Sequence, residues 1–162
     1  MAALSSISGG ENLKKFLGKV KNQTGQIDAG FFPEAIYADG TQVAQVAFDN
    51  CFGHINTGAD AEKYGEVIPA RNFMQKAFDE NNRKWRLELV NIVYAQKENI
   101  DVLQALRVTG FVVKRDIQEA ISWFALSGQP RNGPKVQALK GYDSPLIWSG
   151  KMQESVEYVV KK

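Results

Sequence analysis

Apolar residues recur at helical spacing near the start of the chain and again in its middle. The first stripe, at positions i, i+3, i+4 and i+7, predicts a short helix at about 11–22, which Ser8 and Glu11 would cap. The second stripe predicts a helix at about 71–97. Its members are Met74, Phe78, Trp85, Leu89, Ile92 and Val93. At 1.5 Å per residue this helix would be about 40 Å long, so we expect it to span the domain as a central helix.

Turn-forming residues divide the segment between these two helices. Residues 27–32 predict a strand, and Asp39-Gly40 marks the turn that follows it. A helix at about 42–52 comes next and ends at Gly53. Residues 54–69 form the longest polar stretch of the chain, and we expect an exposed loop there, with a short strand near its end.

The C-terminal half predicts further helices, a long loop and a last strand. A helix at about 100–108 ends near Gly110 or continues through a kink there. Glycine, proline and polar residues from 127 to about 144 predict a loop. A short helical turn at about 150–155 precedes the final strand at 156–160.

These elements predict an α+β fold in a single domain that comprises residues 1–162. Four or five helices, including the central helix, would pack on a small and mostly antiparallel sheet. In that sheet the early strand would pair with the C-terminal one. We expect turns, helix ends and large core side chains to define the fold. The residues concerned are Tyr37, Asp39, Gly40, Gly53, Pro69, Phe73, Phe78, Trp85, Gly141 and Gly150.

Composition restricts the classes of protein to which the chain can belong. Of its 162 residues, 44% are hydrophobic and 23% are charged, as in ordinary globular proteins. One cysteine and one histidine exclude zinc sites built from several cysteines and sites built from histidine clusters. We expect no membrane partner, because no apolar run reaches the roughly 18 residues of a membrane span. The N-terminus lacks the pattern of a secretory signal, so we expect a cytosol-like compartment.

The net charge of +2 hides an uneven distribution along the chain. Residues 1–23 carry four lysines and one glutamate, whereas residues 24–70 carry seven acidic residues and one lysine. Residues 128–162 are basic again, with six basic and three acidic residues. An acidic segment between basic ones is compatible with random surface charge, or with electrostatic complementarity between neighbouring copies of the chain.

No motif in the sequence points to catalysis. Cys51 lies three residues before His54, but nothing forces the thiol and the imidazole together as a catalytic pair would need. Glycine-rich phosphate-binding motifs do not occur. We therefore expect no enzyme activity, no cofactor and no metal site, and an enzyme of unknown class stays an alternative.

Basic residues on the predicted central helix leave a second alternative open. They are Arg71, Lys76, Arg83, Lys84 and Arg86, with Trp85 among them. Basic residues clustered along one helix are typical of nucleic-acid contacts, although Asp79 and Glu80 interrupt the series. The alternative is a small DNA-binding regulator.

Three strings of residues follow one another along the chain. The first runs from Tyr37-Ala38-Asp39-Gly40 to Phe52-Gly53, and the second is Ile68-Pro69-Ala70-Arg71-Asn72-Phe73. The third contains Lys140-Gly141, Pro145-Leu146 and Ser149-Gly150. In this order they resemble the tail-completion and head–tail joining proteins of tailed bacteriophages, a family of tail-terminator-like neck proteins. The resemblance covers about residues 27–160. Asn72 and Trp148 depart from it, because the family usually has proline and aspartate there.

The resemblance implies a structural role in the neck of a virion. Proteins of this family form rings, commonly six-fold, that complete or terminate the tail and join it to the head. The implied partners are further copies of the chain, a tail tube protein and a head-side connector or adaptor protein. DNA would pass through the ring without specific binding. The chain would be made in the host cytoplasm and would end in the virion.

We expect the copies to pack heterologously, so that one surface meets a different surface on the next copy. The loops at 54–69 and 127–145 would act as arms that reach a neighbour, because long loops are often functional. Acidic residues of the first arm would meet basic residues of the neighbouring copy. The expected interface residues are Ile55, Asp60, Glu62, Tyr64, Glu66, Val67, Arg71, Arg131, Lys135 and Trp148.

Overall fold

The computed structural model describes residues 10–97 and 99–162, and Ser8 of the expected helix cap lies outside them. Seven helices and four strands lie in this part of the chain. Their bounds, in chain order, are α1 Gly10–Val20, β1 Gln26–Phe31, α2 Val43–Phe52, β2 His54–Ile55, α3 Gly58–Tyr64, β3 Val67–Ile68, α4 Phe73–Ala95, α5 Val102–Ser127, α6 Pro134–Lys140, α7 Lys151–Glu154 and β4 Val156–Lys161.

The predicted α+β fold is confirmed, and so is the pairing of the early strand with the last one. Strands β1 and β4 form an antiparallel pair in which Gln26 lies opposite Lys161 and Phe31 lies opposite Val156. Helix α5 packs against this pair and against the central helix α4. A Cβ atom on Gly110 of α5 would lie 2.3 Å from Cδ2 of Tyr158 in β4. The glycine therefore lets the helix approach the sheet closely.

The apolar core lies where α2, α4, α5 and the β1–β4 pair meet. Val43, Phe73, Ile121 and Val156 are fully buried there. The ring of Phe31 packs edge-on against that of Phe73, with 6.0 Å between centroids, which adds an aromatic contact to the burial of both rings. The core thus joins elements from both ends of the sequence.

Two segments that we expected to be loops contain regular structure. In the first, β2 and β3 form a short antiparallel hairpin, with α3 between its strands, and Asn56 ties its ends by donating to the carbonyl of Gly65 at 2.7 Å. In the second, α6 begins at Pro134 and ends at Lys140, and Gly141 caps it. These elements are short and bury none of the residues of α3 or α6, so no apolar periodicity marks them in the sequence.

Helix α5 is one continuous helix of 26 residues that passes through Gly110 without ending there. Its N-terminus is capped by Asp101, whose Oδ1 accepts from the backbone N–H of Gln104 at 3.0 Å. Of the two predicted alternatives, continuation of the helix through Gly110 is therefore confirmed, and an end near Gly110 is wrong. The glycine lies inside the helix because it is packed against Tyr158 rather than because it breaks the chain.

Most residues that we expected to define the fold occupy turns, helix ends or the core. The backbone N–H of Gly40 donates to the carbonyl of Tyr37 at 3.0 Å, and Oδ1 of Asp39 accepts from the N–H of Thr41. Gly53 ends α2 with a φ of +81°, where a side chain would be strained. Phe78 is the exception, because its ring is more than half exposed on α4.

Candidate assembly surface

The two segments that we expected to be arms lie against each other in one chain. We call residues 54–70 the first arm and residues 128–150 the second arm. Lys135 Nζ of the second arm donates to the carbonyl of Ala61 in the first at 3.0 Å. The rings of Tyr64 and Trp148 meet edge to face, with 6.5 Å between centroids. Lys135, Tyr64 and Trp148, three expected interface residues, therefore contact the other arm of their own chain.

Arg71 is buried at the junction of the two arms, with only 2% of its surface exposed. Its Nε donates to the carbonyl of Pro130 at 2.8 Å, and one terminal nitrogen donates to that of Arg131 at 2.9 Å. The guanidinium also donates to the side-chain oxygens of Asn50 and Asn132, at 3.2 and 3.3 Å. A guanidinium is planar and has five N–H donors, so it can satisfy several carbonyl and amide oxygens that surround it at once.

This burial corrects our expectation for Arg71. We placed it on the central helix as a surface residue that would contact a neighbour, but it precedes α4 and faces the interior. Burial lowers the pKa of the guanidinium, and the charge of Asp143 opposes that shift. Arg71 therefore organises the arms and does not form part of their outer surface.

Polar contacts also hold the second arm together internally. Asp143 Oδ1 accepts from the backbone N–H and the Nδ2 of Asn132, at 3.1 and 3.0 Å. Lys140 Nζ donates to the carbonyl of Ser144 at 2.6 Å. Burial, followed by the nearby charge of Arg71, lowers the pKa of Lys140. The second arm is thus shaped by hydrogen bonds rather than by an apolar core of its own.

The outer side of the first arm is apolar. Ile55 and Val67 lie opposite each other in the β2–β3 hairpin, and 72% and 61% of their surfaces are exposed. Together with Phe52 at the end of α2, Ile68 and Pro69, they line a shallow and open groove of about 620 Å³. Phe48 extends this surface, since its ring lies 4.8 Å from that of Phe52. We call this feature the first-arm groove.

Acidic side chains are exposed on the same arm as the groove. Asp60 and Glu62 are exposed on α3, which links the two strands of the hairpin and also carries the exposed Lys63, and Glu66 is exposed next to Val67. His54, which lines the groove, pairs with Asp49, with 3.7 Å between Nδ1 and Oδ1. The lining of the groove is therefore mostly apolar, and the arm that carries it has an excess of acidic side chains.

The remaining expected interface residues are exposed. They are Ile55, Asp60, Glu62, Glu66, Val67, Arg131, Lys135 and Trp148, while Tyr64 is half-buried. Phe48 and Phe52, which were not among the expected interface residues, are also exposed. They lie on the outer side of α2, and the neighbouring positions Ala47 and Cys51 are the buried ones.

A second exposed apolar surface lies on α1. This helix has the predicted apolar stripe, but none of its described residues is buried. Leu13 and Leu17 expose 59% and 55% of their surfaces. The ring of Phe16 in the same stripe contacts the body, since it lies 6.2 Å from that of Tyr94. The sequence predicts the helix correctly but not the fact that its apolar side faces outwards.

Most of the basic residues that we considered for DNA contact are engaged within the chain. Arg71 is buried, and Lys76 pairs with Glu80 and lies 4.0 Å from the centroid of Trp123. Lys84 Nζ binds Oδ2 of the buried Asp116 at 2.7 Å, and Trp85 Nε1 donates to the same oxygen at 2.7 Å. Arg83 and Arg86 are exposed. The described residues thus do not form a continuous basic face along α4.

Cys51 and His54 have different partners. The thiol is buried, and it donates to Oδ1 of Asn72 at 3.1 Å. Burial raises the pKa of this thiol, which favours the protonated form at neutral pH. His54 is exposed and pairs with Asp49. The geometry does not place these two groups as a nucleophile and its base.

No protein-family model matches the chain, and neither a curated protein nor a solved structure matches it. None of the helices that the structure describes is long and apolar enough to cross a membrane.

Proposed function

We propose that this chain is a structural protein of the neck of a tailed bacteriophage. Copies of it would form a ring, six-fold as in the family that the sequence resembles, which completes or terminates the tail and joins it to the head connector. The three ordered strings of residues support the neck assignment. The exposed apolar surface of the described residues supports assembly as the general role.

The observation that carries the proposal is the size of the exposed surface. The chain exposes 10972 Å², whereas a compact monomer of 18.0 kDa exposes roughly 8,000 Å². Even fully extended, the ten residues at 1–9 and 98 would expose only about 1,600 Å², so nearly half of the difference belongs to the described residues. Large apolar side chains contribute to it, and exposed apolar patches of this kind mark interaction sites.

The ring would use heterologous contacts, in which different surfaces of neighbouring copies meet. The acidic first arm is one candidate surface, and the basic residues of the second arm and of the N-terminal segment are candidates for the other. The tail tube protein and the head-side connector would contact the two open sides of the ring. A modest net charge of +2 suits a ring that lets DNA pass without holding it.

The test is a joining assay with extracts of the phage that encodes the chain. Heads and tails prepared without this protein should stay apart, and the purified wild-type protein should restore infectious particles. Val67→Lys, in the first-arm groove, should abolish restoration. Val159→Lys is the matched control, because it places the same charge on another exposed strand valine, in β4. Normal joining without the wild-type protein would contradict the proposal.

The DNA-binding regulator and the enzyme make different predictions for the same protein. A regulator would bind DNA with an affinity that falls steeply with salt, and Arg83→Ala with Arg86→Ala would weaken that binding. The neck protein should show no such dependence. If the enzyme alternative is correct with Cys51 as the nucleophile, Cys51→Ser should abolish function. In a structural protein this variant should join heads and tails as the wild type does, because the thiol is buried outside the groove lining.

A further inference from the structure

We infer that α1 of one copy docks into the first-arm groove of the next copy. This inference rests on the proposed function only in requiring that the chain associates with itself. It assigns the two surfaces that meet, and therefore it can fail while the ring survives. Both surfaces belong to the described part of the chain, and the other described residues of the same copy leave Leu13, Leu17, Ile55 and Val67 exposed.

Helix α1 lacks the packing that a helix of its length needs. It has 11 residues, and isolated helices shorter than about 12–15 residues are marginal in water unless an apolar side is packed. Its C-terminal end is fixed, because Gln23 donates to the carbonyl of Ile100 and accepts from the N–H of Val102, both at 2.9 Å. Leu13 and Leu17 nevertheless face solvent. A partner that covers them would supply the missing packing.

The first-arm groove offers the complementary shape and chemistry. Its apolar border of Phe52, Ile55 and Val67 is exposed, and an amphipathic helix typically lays its apolar side into such a groove. The apolar contacts would supply most of the affinity, since burial of apolar area is the dominant favourable contribution in association. A groove that is open to solvent along its length accepts a helix more readily than it encloses a small molecule.

Charge favours a second copy of this chain as the occupant. Lys14 and Lys15 are exposed on α1, and Asp60, Glu62 and Glu66 are exposed on the first arm, which carries the groove. Opposite charges at the rim of an interface steer association and select the partner. The same chain therefore carries a basic helix and a groove on an acidic arm, which complement each other.

The two surfaces lie at opposite ends of α4, so α1 cannot fill its own groove. Tyr94, which contacts α1, lies near the C-terminal end of α4, and the groove adjoins the segment just before Phe73. Twenty-one helical residues separate these points, which corresponds to about 32 Å at 1.5 Å per residue. Docking must therefore occur between copies, and when it runs head to tail it is the kind of contact that can close a ring.

The available area is sufficient. A head-to-tail assembly buries two surfaces on each copy, of about 800 Å² each for a standard interface. With the upper bound of about 1,600 Å² for residues 1–9 and 98 set aside, the excess of the chain's 10972 Å² over the roughly 8,000 Å² of a compact monomer is close to these two surfaces together.

A mixing experiment tests the inference. Leu13→Glu with Leu17→Glu disables α1, and Ile55→Lys with Val67→Lys disables the groove. All four side chains are exposed, so both variants should keep the wild-type circular dichroism spectrum and melting temperature. Each variant alone should sediment as a monomer at concentrations where the wild type associates. Loss of buried apolar anchors of this kind weakens association by at least about tenfold.

An equimolar mixture of the two variants should then form a heterodimer of twice the chain mass. In this heterodimer the intact α1 of one variant occupies the intact groove of the other. The remaining α1 and the remaining groove are both disabled, so no third copy can bind. A mixture that stays monomeric would overturn the inference, and so would either variant if it associated like the wild type. A wild-type dimer in place of a ring would leave the docking intact and overturn the six-fold ring.

Charge reversal and a lipid control complete the test. Lys14→Glu with Lys15→Glu should weaken association, and adding Glu62→Lys with Glu66→Lys in the same chain should restore it.

A basic amphipathic helix is also the kind that binds anionic membranes. The wild type is therefore mixed with vesicles of phosphatidylcholine and phosphatidylserine. We expect it to stay in solution, whereas a monomer that binds these vesicles through α1 would contradict a second copy as the occupant.

Discussion

The body of the molecule and its two arms are held together by different interactions. In the body, which consists of α2, α4, α5 and the β1–β4 pair, fully buried apolar side chains such as Phe73 and Ile121 form a continuous core. In the arms, α3 and α6 bury no residue at all, and the hydrogen bonds of Arg71 join the segments. Because the apolar residues Ile55 and Val67 of the first arm are not buried in a core of that arm, they stay exposed for a partner.

This difference predicts that the largest effect comes from the arginine at the junction. Arg71→Met should lower the free energy of unfolding by about 3–5 kcal/mol, because each buried acceptor left without a donor costs about 1–3 kcal/mol. Urea denaturation measures the loss. Arg71→Lys should give an intermediate value, since it keeps the charge but loses the planar donor geometry. A loss below about 1 kcal/mol for Arg71→Met would mean that the arms do not depend on this residue.

The body contains a buried carboxylate, that of Asp116, whose cationic partner Lys84 can be removed by substitution. Lys84→Met should lower the free energy of unfolding by about 2–3 kcal/mol. Lys84 and Trp85 both donate to the fully buried Asp116 carboxylate, and the variant removes the first of these two donors. Thermal or urea unfolding gives the value. Arg83→Met is the control, since the neighbouring arginine is exposed and such surface changes usually stay within about 0.5 kcal/mol. Equal effects from the two variants would show that the Lys84–Asp116 pair contributes nothing specific.

Close packing between helix and sheet in the body predicts a smaller loss. Gly110→Ala should destabilise the protein by about 1–2 kcal/mol, because the new methyl group would overlap the ring of Tyr158. Gly18→Ala in α1 meets no atom within 4 Å and should stabilise the helix by up to about 1 kcal/mol. The two glycine-to-alanine substitutions should therefore change the free energy of unfolding in opposite directions. A more stable Gly110→Ala variant would show that Tyr158 can move to accommodate the methyl group.

The smallest effect concerns an ion pair at the edge of the sheet. The hydrogen bond from Lys161 lowers the pKa of Asp28 below its usual value. A lowered pKa in the folded state means that the pair contributes stability above about pH 4, and that this contribution is lost as the pH falls further. Melting temperatures of Lys161→Met should therefore fall less steeply in acid than those of the wild type. Lys162→Met should follow the wild type.

The sequence predicts the body better than the arms, for a physical reason. Apolar stripes of α1 and α4 repeat over several turns, so their periodicity is visible, and strand residues at both ends of the chain indicate the β1–β4 pair. The arms lack such a signal. Their contacts join Arg71 to carbonyl groups about 60 positions away in the chain, and hydrogen bonds of that kind leave no periodic trace.

The same limit applies to the candidate surface. Apolar spacing identifies Leu13, Leu17, Phe48 and Phe52 as members of a helix side, but it does not tell whether that side meets the body or solvent. Eight of the ten expected interface residues are exposed, because polar loops are a good guide to surface. Arg71 is buried because its guanidinium satisfies carbonyl groups that no sequence pattern marks.

Amide hydrogen exchange of the wild-type protein at low and high concentration tests the central claim most directly. If the arms and α1 are assembly surfaces and the body is not, exchange in residues 10–20 and 54–69 should slow as the concentration rises. Exchange in β1, β4 and α5 should stay the same, because those amides are already protected within one copy. Protection that does not change with concentration in the first arm and α1, or that increases only along the β1–β4 pair, would contradict the account.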